Sequence, residues 1–554
     1  MKKLKQATQA CPRLDFLPAF NTTAKAQWRS ALWIFIGAML CWPWLNVELA
    51  HTQPWDELGR MGAGLMAPNF AIDGIVVALA NTLAFALQAC TAAALLGFLL
   101  APCYRFPAVA AFLTLLRSIH ELFWALLILQ VFGLSTLTGL LALAIPYSAT
   151  FARVYAEIFE EVSPAPSQAL PYPSSNHSFN ASFNNRKRQN LSIGAVKLSH
   201  FLYTTLPQAW PHLLTYFSYR LECALRASVV LGFVGLPTLG FLVQGYLKAG
   251  SYAEVMALLM LVIILVLTLR WWLKFWLFWP LLLASIFYLP PLAAENLQTG
   301  LFMQLLKDFV PAPWRYISSV DTFFSDESLR NLWHWLSFLW RQQIAPGLGY
   351  TLVLSQLALL LSMVLALFSF PFLSRSFITH AYLRAPGAFL AVILRSLPEI
   401  LMAFLGLIFF GPSLLPGVLA IGLHNGAILA NLMGRYSDNL CFRADIECQS
   451  LSGSLNHYIY EFLPRVYSQF LAFLLYRWEV ILRETAILGM IGIPTLGFYI
   501  DSAFESFRFD RALILILVSA GLNVIAEYLA RKLRSYAGQK HDRHAPVNAD
   551  AHAI

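Results

Sequence analysis

Charge is scarce in this 554-residue chain: Asp, Glu, Lys and Arg together make up 12% of it, against roughly 25% in soluble domains. A water-facing surface cannot be built from so little. With 58% hydrophobic residues, the same composition excludes intrinsic disorder, collagen and coiled coil. The seven cysteines (Cys11, Cys41, Cys90, Cys103, Cys223, Cys441 and Cys448) are odd in number and never in CxxC spacing, which excludes a disulfide framework and a zinc site. No Gly-x4-Gly-Lys-Ser/Thr occurs, so no P-loop cradles a nucleotide. His120-Glu121 lacks the second histidine of a zinc helix, and no serine sits in a Gly-x-Ser-x-Gly elbow. The chain therefore reads as a non-enzyme without a cofactor, and any energy source must be a separate protein or an ion gradient. The net charge of +9 has no basic helix or aromatic-interleaved patch behind it, so nucleic acid is not an expected partner. What is present is apolar length, and its expected partner is membrane lipid.

A helix crosses the hydrocarbon core in about 20 residues. Apolar stretches of this kind lie at 31–49, 72–100, 119–134, 137–159, 225–247 and 253–269, then at 275–292, 348–372, 400–410, 414–433, 480–500 and 512–529. This predicts an all-α polytopic membrane protein of about twelve spans. Lys and Arg mark cytoplasmic segments. The tail 1–30 carries Lys2, Lys3, Lys5, Arg13, Lys25 and Arg29 against Asp15, and the tail 535–554 with the end of the last span carries Arg531, Lys532, Arg534, Lys540 and Arg543. Both termini are thus expected in the cytoplasm, which requires an even number of spans. The connector with Arg375, Arg384 and Arg395 also reads as cytoplasmic, whereas 290–346 mixes four basic residues with five acids and reads as periplasmic. The opening thirty residues are too polar for a cleaved signal peptide.

The chain repeats itself. Leu116-Arg-Ser-Ile-His-Glu121 matches Leu394-Arg-Ser-Leu-Pro-Glu399 at an offset of 278, as Gly133 and Gly139 match Gly411 and Gly417. Tyr219-Arg-Leu-Glu222 matches Tyr476-Arg-Trp-Glu479 at an offset of 257. At that same offset Leu206-Pro207 matches Leu463-Pro464, Arg226 matches Arg483, and 231–241 matches 488–498. This is a fused duplication with halves at 31–270 and 271–534. The offsets differ by 21, and the surplus falls in 163–190, rich in Pro, Ser and Asn and ending near Arg186-Lys187-Arg188. That composition predicts a disordered cytoplasmic insert.

Arg-Ser-x-Pro-Glu, then Leu-Pro, Tyr-Arg-Trp-Glu-x3-Arg and Leu-Gly-x2-Gly-x-Pro-x-Leu-Gly resemble the permease subunit of phosphonate ABC importers, with two copies in one chain. The resemblance covers 81–270 and 350–534 and is strongest in 463–498. It implies two tandem type I importer halves in a bacterial inner membrane, two cytoplasmic ABC ATPases, and a periplasmic or lipid-anchored binding protein. The family's coupling motif is Glu-Ala-Ala-x3-Gly followed by Ile-x-Leu-Pro. Glu447-Cys-Gln-Ser-Leu-Ser-Gly453 keeps the Glu-to-Gly spacing ahead of Leu463-Pro464, although Pro464 follows the glycine by eleven residues rather than thirteen. In the first half Gly194 precedes Leu206-Pro207 with the expected spacing, but Arg188-Gln-Asn190 replaces Glu-Ala-Ala. A short glycine-ended helix in a loop suits a knob for an ATPase groove; an ordinary interfacial loop is the alternative.

Charges fall at membrane depth. From Pro464 to Arg477 is about 20 Å of helix, and Arg483 lies deeper. Arginine there costs at least about 2.5–3.5 kcal/mol, so it normally faces a partner or a wet pathway. Glu479 precedes Arg483 by four residues and Glu222 precedes Arg226 likewise, an order suited to intrahelical pairing. Such pairs either lock the helices or, with the extra Arg220 and Arg477, leave positive charge for an anion. Arg117 and Arg395 open the third span of each half, as pathway charges or as interfacial anchors. His120 and His424 read as packing residues. The segments 232–240 and 489–497 predict close helix approach or a broken span. A twelve-span secondary transporter is the competing reading, and it needs no coupling loop.

Overall fold

The computed structural model describes residues 20–45, 54–163, 199, 201–273, 275–290, 299–315, 325–378, 380–411, 413–438 and 458–536. Among these no strand occurs. The helices, in chain order, begin with α1 (Phe20–Cys41), α2 (Pro54–Met66), α3 (Ile75–Leu100), α4 (Pro107–Ser118), α5 (Glu121–Phe132) and α6 (Thr136–Glu161). Next come α7 (Leu206–Val230), α8 (Leu239–Ala249), α9 (Tyr252–Trp272), α10 (Phe275–Tyr288), α11 (Thr299–Asp308) and α12 (Asp326–Leu339). The last are α13 (Ala345–Ser369), α14 (Ala381–Ser396), α15 (Glu399–Phe410), α16 (Leu414–Asp438), α17 (Leu463–Glu484), α18 (Leu496–Glu505) and α19 (Phe509–Tyr536).

Each of the twelve apolar stretches overlaps one of these helices. Among the described residues six helices are long and apolar enough to span a membrane, and nine if each of three bent pairs counts as one span. Two shorter apolar helices, Ala31–Trp44 and Trp276–Tyr288, accompany them. The third stretch of each half is not a straight span. It is the second arm of a corner, with α4 and α5 meeting at 88° and α14 and α15 at 95°.

The chain forms two compact units. One contains Asp73–Gln244 and Thr268–Leu297. In it α3 lies along α6, and both carry buried small residues: Ala86, Ala89, Ala93 and Gly97 on α3, with Gly139, Ala142, Ala149 and Ala152 on α6. In lipid, where no hydrophobic drive pulls helices together, such stripes let backbones approach and gain van der Waals contact. Gly97 is pressed against Phe151 and Ala152, so any side chain there would collide. Helix α10 packs on α3, where Gln88 Nε2 donates to the carbonyls of Ser285 (2.8 Å) and Leu289 (3.0 Å).

The other unit contains Met1–Ile72, Gly245–Leu267 and Gln298–Pro546. Its core repeats the scheme with α13 along α16, α17 against both, and α18 and α19 outside α17. Here the added helix is α1, which packs on α13; Gln356 Nε2 donates to Ile34 O at 3.1 Å. Each repeat core therefore receives a helix from outside its own repeat, secured by a glutamine.

Local chemistry explains the breaks. Gly133 and Gly411 end α5 and α15 with φ of 63° and 61° and ψ of −164° and −168°, a backbone region open only to glycine. At the corners Ile119 and Leu397 are extended. Leu397 precedes Pro398, whose ring disfavours helix at the residue before it. In the first repeat His120 does the same work by capping, its Nδ1 accepting from Leu122 N at 3.1 Å. The segments 232–240 and 489–497 are both broken and tightly packed, as expected. Gly232 abuts Phe241 N and Gly240 abuts Val229 O, while Gly489 and Gly497 meet Phe498 N and Ala486 O. Across the first of these breaks the helix axis turns by 52°. Each new helix opens with an orphan N–H, and a threonine from a neighbouring helix satisfies it. Leu239 N donates to Thr82 Oγ1 and Leu496 N to Thr351 Oγ1, both at 3.0 Å.

Candidate functional site

Helices α7 and α17 carry most of the chemistry, and both enter through a widened π-type turn, Phe201–Thr205 and Tyr458–Phe462, at the repeat offset. Leu206, Pro207, Leu463 and Pro464 form the first turns after these entries, where proline costs no hydrogen bond. Pro207 to Arg220 is about 20 Å along the helix, so the entry turns and the deep arginines are separate sites.

In the second repeat the deep site is a buried polar network. Arg477 Nη1 donates to Asn425 Oδ1 at 3.4 Å, and Asn425 Nδ2 donates to Glu484 Oε2 at 2.7 Å and to Ile421 O at 3.1 Å. Beside them His424 Nε2 lies 2.7 Å from Glu399 Oε1, and its Nδ1 lies 3.0 Å from Leu394 O. Both ring nitrogens thus face oxygens. Through Leu394 and Glu399, His424 also ties both arms of the α14–α15 corner to α16. Glu479 is buried on the same helix, and Arg483 is part-buried in its last turn.

The first repeat holds the same place differently. Arg220 stacks on the Tyr147 ring, its guanidinium carbon 4.5 Å from the ring centre. Tyr216 and Tyr219, with ring centres 6.1 Å apart, and Cys223 complete its titratable surroundings. Arg226 Nη2 donates to Cys223 Sγ at 3.6 Å, and Glu222, between Arg220 and Cys223 in the chain, is part-buried. By the repeat offsets Tyr147 corresponds to Asn425 and Arg220 to Arg477, so the same two positions meet in both repeats. Arg117, buried, and Arg395, part-buried, lie in the last turns of α4 and α14, just ahead of the corners. A cation there complements the helix C-terminus.

Of the candidate coupling residues, Glu447, Gly453 and Gly194 lie outside the described residues. The anchors of the second-repeat loop are described. Asp438 Oδ1, ending α16, accepts from Ser374 Oγ (3.0 Å), Arg375 N (2.6 Å) and Ser376 N (3.2 Å). At the other end Tyr458 Oη donates to Leu367 O at 2.7 Å, and Tyr458 and Phe462 pack on Phe370 and Phe377. Both ends are thus fixed to the turn after α13. The residue types missed by sequence reasoning are Asn425, Glu399 and Tyr147; aligning α6 and α16 by the repeat offset pairs them with their counterparts.

Among the described residues no group of His, Cys, Asp and Glu is arranged to hold a metal ion.

Known proteins give the repeat a context. The chain is 22% identical over 499 residues to the phosphate-import permease protein PhnE of Mycolicibacterium smegmatis, covering 87% of this chain and 86% of that one. It is 24% identical over 199 residues to the phosphite transport system permease protein PtxC of Stutzerimonas stutzeri, covering 36% of this chain but 70% of PtxC. A third relative, PhnE2 of Escherichia coli, named for a cryptic phosphonate transport system, is 27% identical over 122 residues, 22% of this chain and 84% of PhnE2. PhnE is thus about as long as this chain and PtxC about half as long, as a duplicated and a single permease would be. Neither a family model nor a solved structure matches the chain. The chain is a multi-pass membrane protein whose two tandem repeats are similar to permeases of phosphate, phosphite and phosphonate transport systems.

Proposed function

We propose that the chain is the transmembrane permease of an ATP-driven importer for phosphonates or a related phosphorus oxyanion, with both permease copies in one polypeptide. The observation that carries this reading is the similarity to PhnE through 87% of the chain, across both repeats. Separate ABC ATPases, two in number, would dock on the cytoplasmic loops ahead of Leu206-Pro207 and Leu463-Pro464, and a periplasmic or lipid-anchored binding protein would deliver the anion. Cytoplasmic termini would accord with the distribution of Lys and Arg, and a bacterial inner membrane with the resemblance to importer permeases. Twelve spans follow if the two shorter apolar helices, and α17 with α18, are added to the longer helices and bent pairs.

Transport would proceed by alternating access of the two repeats. The charged residues of α7 and α17 (Arg220, Glu222, Arg226, Arg477, Glu479 and Arg483) would line the route, with Arg117 and Arg395 at the corners beside it. The rigid anchoring of the second-repeat loop at Asp438 and Tyr458 supports a coupling role, because a knob transmits force only if its base does not yield. The test is uptake of labelled methylphosphonate into proteoliposomes. ATP-dependent uptake that needs the ATPase and binding protein is expected. Uptake driven by an ion gradient in the chain alone would replace this reading with a secondary transporter.

A further inference from the structure

The two repeats put an arginine at the same helix position and treat its charge in opposite ways. Arg477 is bonded to Asn425, which is bonded to Glu484, so its charge is matched inside one buried network. In the first repeat Ala227 stands where Glu484 would be, Pro146 where His424 would be, and Tyr147 where Asn425 would be. Tyr216, Cys223, Tyr147 and Tyr219 act electrostatically on Arg220, and no carboxylate is hydrogen-bonded to it; the Glu121 carboxylate acts on Tyr147 from the same cluster. The Arg220 Nε is buried without a hydrogen-bond partner among the described residues, as is that of Arg477; unlike Arg477, Arg220 has no Asn or Glu side chain hydrogen-bonded to it. Stacking on Tyr147 covers one face of the guanidinium and offsets part of the cost of burial. It leaves the N–H edge facing no acceptor.

We propose that Arg220, framed by Tyr147, Tyr216 and Tyr219, is the oxyanion contact of the pathway, and that Arg477 is a positioning residue. This rests on the reading of the chain as an oxyanion permease. A guanidinium held flat by a ring offers its planar N–H edge to two phosphoryl oxygens at once. No carboxylate is bonded to Arg220 itself, so none competes directly with an anion for its N–H edge, in contrast to the Asn425–Glu484 chain on Arg477. One such contact, rather than an arginine from each repeat, binds firmly enough to admit an anion and loosely enough to release it.

The test uses the full chain in nanodiscs without binding protein, with inorganic phosphate, phosphite and methylphosphonate as probes whose binding is read by phosphorus NMR, and the complete transporter for uptake. Arg220→Gln is expected to weaken probe binding by about tenfold or more, and Arg220→Lys to restore part of it. Arg477→Gln should lower thermal stability and weaken probe binding per folded molecule clearly less than Arg220→Gln does. If Arg220→Gln does not fold, Ala227→Glu combined with Tyr147→Asn rebuilds the second repeat's network around Arg220, and it should fold and lose the probe. Unchanged binding in Arg220→Gln or in that double variant overturns the proposal, as does an equal loss in Arg477→Gln. If the wild-type complex transports none of the probes, the importer reading itself falls. If it transports them and Arg220→Gln does so equally, only the present assignment falls.

Discussion

Replacing Gly240 by alanine should be among the most damaging single-methyl changes in the protein. Gly240 lies in the first turn of α8, where its Cα is packed against the carbonyl oxygen of Val229 at the end of α7. A Cβ there meets backbone, which cannot rotate away, so α8 must shift off α7. That movement would strain the Leu239 N to Thr82 Oγ1 bond and the contact of Gly232 with Phe241 N. Overpacking of this kind costs about 1–3 kcal/mol. The same helix supplies the control. Gly245 has nothing within 4 Å of the position a Cβ would take, so alanine there should gain roughly 0.5–1 kcal/mol of helix propensity. Melting of the purified chain in nanodiscs should fall for Gly240→Ala and hold or rise for Gly245→Ala. Gly497→Ala, against Ala486 O in the second repeat, should behave like Gly240→Ala. Equal melting temperatures for Gly240→Ala and Gly245→Ala would refute the close-approach reasoning.

Three further outcomes are expected. Gly453→Arg, in the loop after Asp438, should uncouple ATP hydrolysis from uptake by placing a bulky charge in the ATPase groove; normal uptake with normal ATPase co-purification would count against the docking site. Asp438→Ala removes an acceptor shared by three donors, each worth about 1.5–3 kcal/mol to a charged group. It should reduce uptake per ATP hydrolysed while membrane abundance persists, and an unchanged ratio would show that the loop base need not be rigid. Deleting 164–186 should leave uptake largely intact, since the second repeat has no counterpart; loss of uptake with the protein still abundant would assign the insert a function.

Much of this architecture is legible in the sequence because lipid leaves the backbone few choices. Apolar length located the helices, and repeat offsets paired Arg220 with Arg477 and Gly240 with Gly497. The corners were only half legible: Pro398 can bend its helix, but Ile119–Leu134 and its counterpart look like short spans by hydropathy, and the turn of the first repeat comes with a histidine cap. The placement of α1 on α13 and α10 on α3 was not legible, because apolar helices carry no address in composition alone. The network of Glu399, His424, Asn425 and Glu484 was hidden for a related reason. Its members come from the consecutive helices α15 and α16 and from the distant α17, and their grouping shows only when α16 faces α17.

The central claim is that phosphorus oxyanions are the cargo. The direct measurement is uptake of labelled methylphosphonate, phosphite and phosphate by cells stripped of their own phosphorus importers and supplied with this chain, its ATPase and its binding protein, with sulfate as the comparison anion. The account predicts saturable uptake of at least one phosphorus oxyanion, abolished when the ATPase is inactivated and absent for sulfate. Uptake that persists without ATP hydrolysis, or that favours sulfate over all three phosphorus oxyanions, would contradict it.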